Sequence, residues 1–160
     1  MEDMVVEIRD LEAIDVVSAL GFGSEPEMEA WSLIQEFAAA NGIDIESGEH
    51  RFFGFNNPNP TPGSPNYGYE QWMTIDADTA VEQPLTRKHV PARRYAVTRF
   101  KGIENITDTW RRFVAWFEES GLRPGPGWNE CLEELLTPIT QPPEDWEFDL
   151  YLPLAEGSEI

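Results

Sequence analysis

Apolar and polar residues interleave from Val5 to Asp10 and again from Ile14 to Gly23. Alternation of this kind puts one face of an extended segment against a core, so both stretches are predicted strands. The spacing then changes. Met28, Trp31, Ile34, Phe37 and Ala38 recur at helical intervals, which predicts a helix with one apolar stripe. Ahead of it, Ser24-Glu25-Pro26-Glu27 has the S-x-x-E form of a capping box with proline in the first turn, and Gly42 is its stop signal.

From Arg51 to Asp76 the chain reads RFFGFNNPNPTPGSPNYGYEQWMTID. Two aromatic runs, one with Phe52, Phe53 and Phe55, the other with Tyr67, Tyr69, Trp72 and Met73, flank a loop of Asn, Pro, Gly and Ser. Such runs bounded by Pro and Gly predict a long-looped hairpin. The rings outnumber what a small core needs, and the surplus predicts a wall that binds something flat and apolar. On the second strand Tyr67, Tyr69 and Met73 share one face, and Gly68, Glu70, Trp72 and Thr74 share the other. Tyr69 is the preferred binding residue, since a phenol offers a ring face and a hydrogen bond. Trp72 needs a bulge to join it and otherwise packs in the core.

A linker from about Ala77 to Pro84 separates this half from a second that repeats the plan. Arg87 to Lys101 reads as a long or bent strand interrupted near Pro91. Asn105 or Thr107 caps a helix with an inner stripe of Trp110, Phe113, Val114 and Phe117, closed by Gly121. Trp128 to Leu136 and Trp146 to Leu152 are two further elements, joined by PITQPPED. Both halves, 1–80 and 85–155, therefore read strand, helix, strand, strand. The prediction is a single α+β domain over residues 1–160: duplicated βαββ units with pseudo-twofold symmetry, antiparallel sheets, two helices and a central cleft.

Charge narrows the partners. Thirty acids against 11 Lys plus Arg leave a net charge of −19, which repels phosphate backbones and anionic membrane surfaces. Neither nucleic acid nor membrane is an expected partner. Arg87, Lys88, Arg93, Arg94, Arg99 and Lys101 crowd one segment, with Arg111 and Arg112 soon after, and are read as balancing the acid excess. Cys131 is the single cysteine, so an intrachain disulfide and the usual zinc sites are excluded, and it is read as a small buried hydrophobe. His50 and His89 have no Ser or Cys partner pattern, and no G-x-S-x-G is present. No cofactor is expected. The acidic start, MEDMVVEIRD, is unlike a secretory leader, and no apolar run has the length of a membrane span, so a cytoplasmic location is expected.

The order of FGFNNPNP with YGYEQW, RRYAVTRFKG, DTWRRFVAWFEESG, CLEELLTP and FDLYLPL resembles the gyrase-inhibitor-like small-molecule-binding domain. That fold also forms the effector-binding domain of AraC-type and MerR-type multidrug regulators. The resemblance covers nearly the whole chain. It implies two βαββ units with a ligand cleft between them, and bulky, often cationic or aromatic ligands. It also implies a cleft glutamate on the penultimate strand in an E-x-Y-like setting. Glu133 fits best, with Leu135 where the tyrosine is expected, while Glu134 alternates with it along the strand.

Phe55, Tyr69, Trp72, Trp110, Trp128 and Glu133 are the candidate ligand-binding residues. For Trp110 core packing competes with that role, and for Trp128 anchoring of the RPGPG loop does. Trp31 and Trp116 are read as helix packing. Binding of bulky apolar or cationic small molecules is the leading function. Some stand-alone relatives of this kind resemble hydrolases that open cyclopropanoid alkylating agents, which makes Glu133 a catalytic general base in a second reading. In a third, the acidic surface binds a protein partner, as in gyrase inhibition.

Overall fold

The computed structural model describes residues 4–57, 59 and 61–159. Pro58 and Pro60 of the loop motif lie outside the described residues. The strands are β1 (Glu7–Leu11), β2 (Ile14–Gly23), β3 (Phe52–Asn56), β4 (Tyr67–Thr74), β5 (Thr86–Val90), β6 (Arg93–Lys101), β7 (Leu132–Leu135) and β8 (Glu147–Leu154). The long helices are α1 (Pro26–Ala40) and α2 (Ile106–Ser120). The fold class is α+β with antiparallel strands, as the alternating and helical spacings predict.

The chain forms two compact units, Ala13–Pro91 and Met1–Glu12 with Ala92–Ile160. In the first, β2-α1-β3-β4 forms a βαββ motif with strand order β3-β4-β2, and β5 adds to the outer edge of β2. In the second, β6-α2-β7-β8 has the matching order β7-β8-β6, and β1 adds to the outer edge of β6. The division differs from the predicted 1–80 and 85–155. The Arg87–Lys101 stretch is two strands, and Pro91 marks the point where the chain leaves one unit for the other. Pairing explains the difference: Ile14 to Ser18 takes β5 as its neighbour, while β1 pairs from Glu7 to Leu11 with β6.

In the Ala13–Pro91 unit, Ala30, Ile34, Phe37 and Ala38 of α1 pack on Val17, Ala19, Phe52, Tyr69 and Met73. Each large apolar side chain removed from water here contributes about 1.5–3 kcal/mol. Gly21 permits the close approach of α1 to β2, since a Cβ there would lie 2.2 Å from the Pro26 carbonyl oxygen. Met28, predicted inside, is 69% exposed because the stripe runs through Ala30, Ile34 and Phe37 instead. The expected capping box does not form. Glu25 is the N-cap residue, and the Glu27 carboxylate instead accepts a hydrogen bond from the Tyr67 hydroxyl.

In the second unit, Phe113 and Phe117 of α2 pack on Ala96, Leu150, Leu152 and Leu154. The buried stripe is Thr109, Phe113 and Phe117, at every fourth residue, so Trp110 is half-buried and Val114 is exposed. Gly121 ends the helix in the left-handed conformation, as its position predicts. Only Leu132–Leu135 of the predicted Trp128–Leu136 element is a strand. Among the described residues no helix is long and apolar enough to cross a membrane.

Candidate functional site

A strand paired in register places opposed residues on one face. In the Ala13–Pro91 unit this puts Ser18, Phe53, Phe55, Glu70, Trp72 and Lys88 on the face away from α1. Glu70 is their centre. Its Oε2 accepts from Ser18 Oγ at 3.0 Å and from Trp72 Nε1 at 2.9 Å. Its Oε1 accepts from Asn57 Nδ2 at 2.8 Å. Lys88 Nζ spans both oxygens, at 3.0 and 2.7 Å. Burial would raise the Glu70 pKa, but hydrogen bonds from Lys88, Trp72 and Asn57 outweigh it and hold the carboxyl below its usual range.

Two aromatic residues neighbour this carboxylate, Trp72 by its hydrogen bond and Phe55 by strand register. Phe55 meets Trp72 edge-on, with centroids 5.0 Å apart. Lys88 Nζ stands 5.8 Å from the centre of the Trp72 ring, within cation–π range. Trp72 and Phe55 are both buried. A buried carboxylate beside an indole is a chemical complement for an organic cation, which needs a counter-charge and an apolar contact together.

The second unit carries a related set on the face away from α2. Asp149 and Tyr151 stand two residues apart on β8, as Glu70 and Trp72 do on β4. Asp149 accepts from Arg99 Nε at 2.8 Å and Nη2 at 3.1 Å, and from Arg9 Nη1 at 3.0 Å. Arg9 Nη1 also donates to the Tyr151 hydroxyl at 2.9 Å, and its guanidinium lies 5.6 Å from the ring centre. Burial would raise the Asp149 pKa, but Arg99 and Arg9 hold it below the usual range. The Tyr151 hydroxyl donates to Glu134 Oε1 at 2.5 Å, and Tyr95 packs edge-on to Tyr151 at 5.3 Å.

Of the predicted site residues, Phe55 and Trp72 come together on the face with Glu70 without a bulge. Tyr69, expected at a binding surface, packs instead in the core under α1. Its ring lies across Gly54, where an added Cβ would fall 2.1 Å from the Tyr69 hydroxyl oxygen. Glu133 and Trp110 lie on the α2 side of their unit, where Trp110 Nε1 donates to Glu133 Oε2 at 2.6 Å. The register explains this: Glu133 opposes Leu150, a core residue, and Glu134 opposes Asp149 on the other face. Trp128 packs on Phe117, with centroids 4.9 Å apart. Cys131 is on the α2 side too, and burial together with the nearby Glu133 charge pushes its thiol up to about 12.

Glu70, Lys88, Asp149 and Tyr151 were not among the candidate site residues. The signal available for them was an acid-x-aromatic pair on one strand face, Glu70-Gln71-Trp72 and Asp149-Leu150-Tyr151. Among the described residues no three His, Cys, Asp or Glu side chains gather as metal ligands.

Solved structures share this fold at low sequence identity. The C-terminal domain of EcmrR superposes with a TM-score of 0.75 at 15% identity, covering 94% of this chain and 97% of that one. The chain spans 57% of the EcmrR subunit seen in a complex with DNA. SAV2435, solved bound to tetraphenylphosphonium, gives a TM-score of 0.64 at 10% identity and covers 96% of this chain and 95% of its own. A hydrolase from Listeria innocua gives 0.62 at 11% identity, with 94% and 91% covered. No curated protein matches the chain. The family model for integron-associated effector-binding proteins matches residues 7–154, nearly the full chain, and the protein belongs to that family.

Proposed function

We propose that this protein binds bulky aromatic compounds with a cationic centre, and that the helix-free face of the Ala13–Pro91 unit supplies the site. The observation that carries the reading is Glu70, a buried carboxylate that accepts from the Trp72 indole N–H and stands opposite Phe55 on the neighbouring strand. A charge buried at this depth is costly unless it is matched by a cation; Lys88 supplies one here, and a ligand's cationic centre can take the same place. Trp72 and Phe55 supply the apolar contact that distinguishes a lipophilic cation from a hydrated ion. Membership of the effector-binding family and the tetraphenylphosphonium seen in SAV2435 support small-molecule binding. The hydrolytic reading through Glu133 is not favoured, because its carboxylate is engaged by the Trp110 indole on the helix-packed side.

Calorimetric titration of tetraphenylphosphonium and of neutral triphenylphosphine oxide tests the assignment. Glu70→Gln is expected to weaken the cation about tenfold or more while changing the neutral compound little, since the Coulomb contribution alone is removed. Equal weakening of both ligands, or of neither, places the site elsewhere.

A further inference from the structure

Lys88 stands where the cationic centre of such a ligand would stand. Its Nζ is 2.7 Å from Glu70 Oε2 and 5.8 Å from the centre of the Trp72 ring. It reaches this point from β5, the strand at the free end of the order β3-β4-β2-β5, across β2. The side chain is 36% exposed, whereas that of Glu70 is 7% exposed. An ammonium on a flexible four-carbon stem at a sheet edge can leave its carboxylate and regain water without moving the backbone.

Resting on the reading of Glu70 as the ligand's counter-charge, we propose that Lys88 is a tethered cation that fills the Glu70–Trp72 subsite until a ligand displaces it. The exchange has a consequence for specificity. A displaced Lys88 is rehydrated as a primary ammonium, and an incoming cation is stripped of water. The balance favours cations that are poorly hydrated from the start, with charge spread over aromatic groups or shielded by carbon. Small primary amines gain nothing by the exchange, because they replace one hydrated ammonium with another. Lys88 thus sets both a threshold of affinity and a filter for lipophilic cations.

Calorimetry on the Lys88→Met variant is the direct test. Tetraphenylphosphonium is expected to bind this variant roughly tenfold more tightly than the wild type, because one part-exposed ion pair and one cation–π contact no longer have to be broken. Triphenylphosphine oxide should shift by less than about twofold, as it has no charge to compete with. Equal or weaker cation binding by Lys88→Met overturns the proposal while leaving the Glu70 reading intact. Absence of cation binding to both proteins overturns the two together.

A measurement on the wild type guards against a variant that fails to fold. The chain has only two lysines, Lys88 and Lys101. The Lys101 side chain is 60% exposed and serves as an internal reference. Limited acetylation followed by peptide mass spectrometry should show the Lys88 to Lys101 labelling ratio rising when tetraphenylphosphonium saturates the protein. A ratio that stays constant or falls overturns displacement.

Discussion

Glu70 with Trp72 on β4 and Asp149 with Tyr151 on β8 answer the same problem with different cations. Each acid stands two residues before its aromatic partner on the last strand of a βαββ motif, and each receives a cation from the strand added at the sheet edge. Arg9 serves Asp149 and touches the Tyr151 ring, as Lys88 serves Glu70 and faces the Trp72 ring. Asp149 has a second guanidinium, from Arg99, whose Nε and Nη2 reach both carboxylate oxygens. A planar guanidinium fork holds a carboxylate in one geometry, whereas an ammonium is a point charge on a mobile stem. Two guanidiniums thus fix Asp149, whereas one ammonium on a mobile stem serves Glu70. On the proposed reading, only the second arrangement admits a foreign cation.

Both aromatic partners are fully buried and should carry equal structural weight. Trp72→Ala and Tyr151→Ala should each destabilise their unit by about 3–5 kcal/mol, the scale of truncating a large buried ring. Urea unfolding followed by circular dichroism measures both. Trp128→Ala, at a position 37% exposed, should cost about 1 kcal/mol. A loss below about 1 kcal/mol at either buried ring would break the parallel between the two units.

The difference between the cations should appear on acidification. Both carboxyls titrate below their ordinary values, 4.5 for Glu70 and 3.8 for Asp149. A depressed folded pKa contributes stability that is complete above the ordinary value and is lost as pH falls through the folded one. The urea midpoint of the wild type should therefore drop as the pH is taken below those ordinary values. Asp149→Asn and Glu70→Gln should each flatten that drop. Asp149→Asn should flatten it more, because two arginines rather than one lysine lose their partner. An equal or larger flattening by Glu70→Gln would mean that Lys88 locks its acid as firmly as the arginines do.

Much of this architecture was legible in the sequence, and the misses share a cause. Period-two alternation located β2 to the residue, and proline and glycine placed the start and end of α1 and the end of α2. Which face of a strand meets a helix was not legible, because that depends on pairing between distant segments. Tyr69 and Trp72 both lie in one run, and Gly54 on the neighbouring strand makes room for the first against α1. Glu133 and Glu134 differ only in phase, and the register with β8 decides between them. The swap of β1 and β5 between units was hidden for the same reason: edge strands are chosen by a partner far away in the chain.

The smallest effect is expected where the helix-packed side is disturbed without emptying it. Trp110→Phe removes the indole N–H that donates to Glu133 and keeps most of the ring that stacks near Phe113. Trp110 is half-buried, so water can reach the carboxylate left behind, and the cost should be about 0.5–1.5 kcal/mol. Its effect on tetraphenylphosphonium affinity should be under about twofold, since the pair belongs to the other unit and shares no partner with Glu70. Trp72→Phe is the matched change on the other side. It deletes the N–H bonded to Glu70 at 2.9 Å and exchanges an indole for a weaker cation–π surface. Cation affinity should fall by roughly threefold to tenfold in that variant. If Trp110→Phe weakens the cation as much as Trp72→Phe does, then Glu133 rather than Glu70 is the counter-charge, and the binding face has been assigned to the wrong unit.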